Sequence, residues 1–298
     1  MLKISKAYVT DNCSPHNPPV ARCQSGDTVL FETRDCYDDR LRGDGYVHEP
    51  EKALENPATG PLFVEGAEPG DVLKVEILGI KLNPTGLMRA STSGGAFNDL
   101  VEYRKVRQFD TSGDVLKFND KLSFPIDTMI GVIGTAPACD TVMTHTPGSH
   151  GGNMDCNKIV AGSTLYLPVN VPGALLSMGD LHALMGDGEV MICGLETGGE
   201  VTVKVSVVKG FPMPTPALSC RGQFYTIQSA NTLDQASRKA SRAMLKFLQQ
   251  VTDMDVYDCA MLLSLRGNLS VCQIVDPQLT VRMGIEMGIL DAYAVQLP

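Results

Sequence analysis

The sequence predicts a mainly β protein, a β-sandwich or β-barrel body over residues 1–215, followed by a smaller mixed α/β segment over residues 216–298. Three observations carry this. A short unit recurs in which a small residue or Pro, then Gly, then an acid, precedes alternating apolar residues: "SGDTVLFET" (25–33), "PGDVLKVEIL" (69–78), "SGDVLKF" (112–118) and "GGEVTVKVSVV" (198–208). The Gly-acid pair makes a turn, and period-two alternation makes a half-buried strand. Helical periodicity is scarce up to about residue 215 and plain after it. The four units differ in spacing and flanks, so they are not a structural repeat.

Taken in order, "STSGGAFNDL" (91–100) reads as a loop. "STLYLPVNVPGALLSMGDLH" (163–182) reads as strand–turn–strand, with Pro168 and Pro172 confined to edges or bulges. "FPMPTPAL" (211–218) is an extended connector. In "NTLDQASRKASRAMLKFLQQVTD" (231–253), Thr232 is a plausible cap, and Ala236, Ala240, Met244, Phe247, Leu248 and Val251 form an apolar stripe. That stripe predicts an amphipathic helix packed on a sheet. "DVYDCAMLLSLRG" (255–267) reads as a second helix, and "LSVCQIVDP" (269–277) and "LTVRMGIE" (279–286) as strands.

Composition narrows the function. The 298 residues are 43% hydrophobic and 20% charged, which suits a chain with a sizeable core. A net charge of -9 without any Lys/Arg cluster disfavours nucleic acid and acidic membranes as partners. No stretch approaches the roughly 20 apolar residues that span a bilayer. The start, "MLKISKAYVTDN", lacks the pattern of a signal peptide, so the expected location is the cytoplasm. Nine cysteines without a CxxC pair read as reduced, mostly buried thiols.

The residues suited to chemistry crowd into 145–200. His145 and His150 flank "TPGS", then come Asn153 and Asp155, "GDLHALMGDGEV" with Asp180, His182, Asp187 and Glu189, and "GLETGGE" with Glu196. Residues two apart on a strand share a face, so Asp180 projects with His182, and Asp187 with Glu189 if "GDGEV" opens a strand. Imidazole with carboxylate suits zinc and similar divalent ions, and a carboxylate can also orient the imidazole. Each residue has a plainer reading. Asp180 and Asp187 match the chain's habitual Gly-Asp turn, Glu196 can be a solvated strand end, and His16, His48 and His145 can be structural. The set His150, Asp155, Asp180 and His182 is harder to explain that way. No GxSxG, GxxxxGK[ST] or HExxH is present. Cys139, in "GTAPACD", or Cys156, with Lys158 beyond it, offers a thiol alternative in which Glu is the base.

"FETRD" (31–35), "GPLFVEGAEPGDVLKVEI" (60–77), "GVIGTAPA" (131–138), "PGSHGGNMD" (147–155) and "GSTLYLPVNVPGALLSMGDLHALMGDGEV" (162–190) together resemble the acetamidase/formamidase family, in order from about residue 20 to 215. The resemblance implies hydrolysis of short aliphatic amides to acid and ammonia, a mainly β fold with a smaller mixed domain, and a homodimer. On that reading a divalent metal, zinc first, is expected on His150, Asp180 and His182, with Asp155 a ligand or a partner to one. Glu32 or Glu189 is expected as general base. Asn153 and the backbone amides of Gly151 and Gly152 are expected to hold the oxyanion, the glycines letting main chain approach a small substrate. Leu184 and Met185 stand where the family is expected to carry small or polar residues, which places Met185 at the substrate pocket and allows a shifted specificity. The alternatives are a metal-free Cys/Glu/Lys amidase and a non-catalytic or differently specific small-ligand-binding member of the family.

Overall fold

The structure is a computed structural model that describes residues 1–43 and 45–298. The Gly-acid units work as turns because of the acid's side chain as well as the glycine. Gly26 and Gly70 have φ of 98° and 96°, where a Cβ is strained. Asp27 and Asp71 each accept a backbone N–H three residues back, from Gln24 at 2.8 Å and Glu68 at 2.9 Å. The strands Thr28–Thr33 and Val72–Leu82 follow directly. The unit at 198–208 behaves differently. Its strand, Gly199–Val208, begins at the second glycine, and Glu200 faces Lys3.

Two nine-stranded sheets result. The first runs Leu2–Ile4, Thr28–Thr33, Gly199–Val208, Val72–Leu82, Thr164–Pro168, Ala217–Cys220, Gln223–Ala230, Leu279–Glu286, Asn268–Gln273. The second runs Gly151–Asn153, Met129–Gly134, Leu176–His182, Glu196–Thr197, Thr85–Ala90, Lys105–Asp110. Ala58–Val64 joins it on Leu176–His182, and Val9–Thr10 and Ala21–Cys23 pair in turn with Ala58–Val64. Neither sheet closes on itself, so the body is a sandwich rather than a barrel. Alternate residues fill the space between the sheets: Phe31, Val75 and Val203 from the first meet Leu62, Ile133 and Leu181 from the second in one buried cluster. Each such side chain contributes about 1.5–3 kcal/mol on burial.

The predicted strand–turn–strand over 163–182 is not a hairpin. Thr164–Pro168 lies in the first sheet and Leu176–His182 in the second, and the chain crosses between them at 169–175. Ala174 and Leu175, at φ of 59° and 56°, make that crossing tight. "GDGEV" opens no strand either. Only Gly188 bridges, to Gln273, so Asp187 and Glu189 part company. Asp187 leaves toward Arg282 and pairs with it at 2.6 Å.

Residues 216–298 extend the first sheet. Ala217–Cys220 pairs with Thr164–Pro168, and three more strands follow. Helix α1, Leu233–Val251, is capped by Thr232, whose side chain accepts the Gln235 N–H. Its stripe of Ala236, Ala240, Met244, Phe247 and Leu248 is buried against Phe224, Val281 and Ile285. Those sheet residues face away from the sandwich core. Helix α2, Val256–Arg266, is capped by Asp255, and helix α3 is Met287–Ala292. The hairpin between Asn268–Gln273 and Leu279–Glu286 is tied to the body, because Gly188 N–H donates to the Cys272 carbonyl at 2.9 Å and Ile274 N–H to that of Gly188 at 3.0 Å.

Candidate active site

The strand Leu176–His182 is buried along its whole length and carries two polar residues at its end. Met129 lies opposite His182 on one side and Glu196 on the other. Asp180 and His182 do meet, with Nε2 3.3 Å from Asp180 Oδ1. Glu196 Oε2 is 3.2 Å from the same nitrogen, in ion-pair range but without hydrogen-bond geometry. Asp155, from the turn after Gly151–Asn153, brings Oδ1 to 3.9 Å. Glu189 enters from the loop beyond the strand, and Asp276 from the C-terminal hairpin, where Asn153 Nδ2 donates to it at 2.9 Å. Asn56 Nδ2 donates to Asp180 Oδ2 at 3.3 Å.

The backbone is strained to achieve this. Asp155, Asp180, Glu189 and Ile192 have φ of 42°, 56°, 47° and 70°, sparsely populated for residues with a Cβ. Gly131 makes the opposite contribution. A Cβ there would lie 2.5 Å from Asp155 Oδ1 and 2.6 Å from Asp180 Oδ2, so only glycine leaves room for both carboxylates. A Cβ on Gly194 would lie 2.6 Å from His182 Nδ1. A cleft of about 320 Å³ opens over the cluster, lined by Asp180, Glu189, Glu196, Asn153 and Asp276 among others. Asp155 and His182 are fully buried beneath.

Five carboxylates around one imidazole set the electrostatics. Burial holds Asp155, Glu189 and Asp276 well above the carboxylate range, and each is pushed further by another acid, Asp155 by Asp276, Glu189 by Asp155 and Asp276 by Glu189. Burial also lifts Glu196, to about 7, against the pull of His182. Asp180 differs: burial raises it, but His182 together with Glu196 and Asn56 keeps it below its ordinary value. Burial opposes charge on His182, but Glu196 and Asp180 overcome it and raise its pKa well above normal. Several polar atoms stay without partners: both oxygens of Asp155, Glu189 Oε2, Glu196 Oε2, His182 Nδ1 and Asn153 Oδ1. Buried oxygens of this kind are costly unless something binds them. One atom each from Asp155, His182 and Glu189 lie within 4.8 Å of one another, as do atoms of Cys36, Asp180 and Glu196. One imidazole and two carboxylates suit a divalent ion, so the residues fit the expected metal.

The structure brings Asp155, Asp180, His182, Glu189 and Asn153 into one cluster. It does not bring His150 there. That ring is 3% exposed and folded into its own loop, where a Cβ on Gly152 would lie 3.0 Å from its Nε2. Burial drives its pKa down to about 4. Glu32 is also elsewhere. Its strand belongs to the first sheet, and its carboxylate pairs with Lys3 at 2.7 Å. Gly151 and Gly152 serve main-chain packing: Gly151 N–H donates to Gly148 at 3.2 Å, and a Cβ on Gly152 would meet the Thr146 carbonyl at 2.6 Å. Neither lines the cleft. Met185 packs in the sandwich core and lines a separate apolar groove of about 260 Å³. Asn153 turns its nitrogen to Asp276, which leaves its oxygen free, an acceptor rather than an oxyanion donor. Of the cysteines, Cys139 is exposed and Cys156 buried in the core, while Cys36 lines the cleft. Burial raises the Cys36 thiol well above its normal pKa, against a reactive thiolate. Asp276, Asn56 and Cys36 are not marked by the sequence, and Glu196, one of the candidates there, is a buried member of the cluster rather than a solvated strand end.

The profile of the Acetamidase/Formamidase family matches residues 4–146 and 138–292. The chain belongs to the acetamidase/formamidase family. Among solved structures, it is similar to the acetamidase of Bacillus halodurans, with 43% identity, a TM-score of 0.95, and coverage of 99% of this chain and 100% of the other. The predicted acetamidase/formamidase of Thermoanaerobacter tengcongensis is 38% identical, with a TM-score of 0.95 and 99% of each chain covered. The formamidase of Methylophilus methylotrophus is 27% identical, over 65% of this chain and 63% of its own length. The chain thus spans less than two-thirds of the curated relatives it matches.

Proposed function

We propose that this member of the acetamidase/formamidase family hydrolyses short aliphatic amides to the carboxylic acid and ammonia, with a divalent ion, zinc the first candidate, on Asp155, His182 and Glu189. The observation that carries this is the cluster of partnerless carboxylate oxygens around a buried imidazole at the floor of a cleft. Relatives named as acetamidases and a formamidase support the reaction class. When bound, such an ion supplies a more acidic water and polarises a carbonyl. The chain's own groups do the rest. Asn153 Oδ1 and Asn56 Oδ1, both lacking partners, accept the substrate's N–H groups and orient its amide. Asp180 Oδ1 lies 3.3 Å from His182 Nε2, at the edge of that ligand set. Glu196, a cleft-lining residue whose Oε2 accepts no hydrogen bond, takes the proton from the attacking water and delivers it to the departing ammonia.

The test couples metal content to turnover. Elemental analysis of the purified protein is expected to find about one divalent ion per chain, the three-ligand group holding one. Asp155→Asn and Glu189→Gln are expected to lose both the ion and ammonia release from formamide, acetamide or propionamide, while Glu32→Gln keeps both. Full turnover by a metal-free protein would remove the metal from the reading and leave the amidase.

The working assembly is a cytoplasmic homodimer. No helix among the described residues is long and apolar enough to cross a membrane. The hairpin of Val115–Lys117 and Ser123–Pro125 leaves Val115, Phe118, Leu122 and Phe124 between 37% and 58% exposed, a patch suited to a second copy. Light scattering on the purified protein reads the assembly directly.

A further inference from the structure

The cleft contains one cation that none of the steps above uses. Arg89 lies on the strand Thr85–Ala90, and its side chain lines the same cleft as Asp180, Glu189 and Glu196. The other arginines withdrawn from solvent are committed. Arg34 and Arg40 hold Asp38, Arg282 holds Asp187, and Arg107 donates to the Phe118 carbonyl. Among the described residues, the Arg89 guanidinium has no hydrogen-bond or ion-pair partner, and its Nε is buried without one. This is notable beside a set of acids, where a free guanidinium would ordinarily be neutralised.

Its position is held in two ways. The Cys193 thiol donates to the Arg89 carbonyl at 3.2 Å and accepts its N–H at 3.3 Å, fixing the backbone. The guanidinium carbon sits 5.5 Å from the centre of the Tyr37 ring, within cation–π range. The Tyr37 hydroxyl is also buried, lacks a partner and belongs to a cleft-lining residue. Arginine and phenol thus form a ready donor pair, with a planar fork suited to a carboxylate.

Register sets the spacing. Glu196 pairs with Leu87, and Arg89 is two residues further along that strand and so on the same face. The offset is roughly 7 Å at the rise of an extended strand. Arg89 and Glu196 thus line one cleft from neighbouring positions on one face, and a substrate whose amide lies at Glu196 turns its far end to Arg89.

We propose that Arg89 and Tyr37 anchor a carboxylate on the substrate, so that the preferred amides are monoamides of short dicarboxylic acids rather than simple alkyl amides. This rests on the amidase reading above. The reaction is the same one, with both ends accounted for: the C–N bond breaks, a C–O bond forms to the oxygen of water, and the monoamide anion plus water gives the dicarboxylate dianion plus ammonium.

The experiment compares succinamate with butyramide, which match in chain length and differ in the terminal carboxylate, on the metal-replete enzyme. Wild type is expected to show kcat/KM at least about tenfold higher on succinamate. Arg89→Met is expected to lower the succinamate-to-butyramide ratio by about 100-fold, and Arg89→Lys by less, because lysine keeps the charge but not the fork. Calorimetry with succinate and butyrate reads binding without turnover, and succinate should bind wild type and fail on Arg89→Met. A ratio that favours butyramide, or that Arg89→Met leaves unchanged, overturns the anchor, as does equal succinate binding to both proteins. If neither amide is turned over while succinate binding still depends on Arg89, the hydrolysis reading fails and the anchor stands. Thermal denaturation of each variant separates loss of fold from loss of the anchor, and Arg89→Lys, which keeps the stem and charge, supplies the ratio should Arg89→Met unfold.

Discussion

At the scale of single residues, His150 shows how a histidine can be buried outside the cleft where chemistry is expected of it. Its ring is almost wholly buried, and burial holds its pKa near 4 against an ordinary value of 6.5. A histidine depressed in the folded state favours folding above its unfolded pKa and loses that contribution as pH falls. The unfolded chain takes up a proton below about 6.5, while the folded chain resists until about 4. The loss over this window is about 3 kcal/mol. Urea midpoints measured from pH 7.5 to 4.5 should therefore fall more steeply for wild type than for His150→Gln. Parallel curves would mean that the ring is solvated in the native state. Glu196 is the reverse case. "GLETGGE" looks like a solvated strand end, yet Glu196 is 2% exposed and opposite His182. Strand pairing decided its burial, and pairing partners are set by residues far away in the chain.

Elements were legible in proportion to how local their causes are. Helix α1 announces itself by the Thr232 cap and the apolar stripe, both short-range; the cap stands, and the stripe is buried from Ala236 to Leu248 while Val251 is half-buried. The turns at Gly26 and Gly70 are likewise local. The division of strands between two sheets was not legible, since Thr164–Pro168 and Leu176–His182 carry the same alternation and differ only in what they pair with. The strand Met129–Gly134 shows the same limit. Nothing local in "MIGVIG" says that Gly131 faces two carboxylates. Gly131→Ala places a methyl 2.5 Å from Asp155 Oδ1, and 3.0 Å from the Asp180 carbonyl, which cannot swing away as a side chain does. The carboxylates must separate. We expect that variant to fold, by circular dichroism, but to retain less metal and to lose about 100-fold in kcat, the scale of an ångström misplacement at a reacting centre. Wild-type turnover by Gly131→Ala would show that the spacing of Asp155 and Asp180 is not critical.

Across the whole molecule, the cluster is where separate parts of the chain are tied together. Asp155 comes from the turn beside the edge strand of the second sheet, and His182 from that sheet's interior. Glu189 comes from a loop bonded to the C-terminal hairpin, whose turn delivers Asp276 from the first sheet. Without a bound ion these groups must remain buried with several oxygens unsatisfied and with like charges adjacent, which protons only partly relieve. An ion on Asp155, His182 and Glu189 should therefore act as a stability determinant as well as a catalytic one. At a free concentration 100 times its dissociation constant, it stabilises the fold by about 2.7 kcal/mol. For a chain of 298 residues that raises Tm by roughly 4 °C. Chelation should lower Tm by that amount, and restoring the ion should recover both Tm and turnover. Asp155→Asn should already melt low and ignore the chelator. A Tm indifferent to chelation in wild type would mean that the sheets and hairpin hold the acids together unaided, and that protons alone balance the cluster's charge.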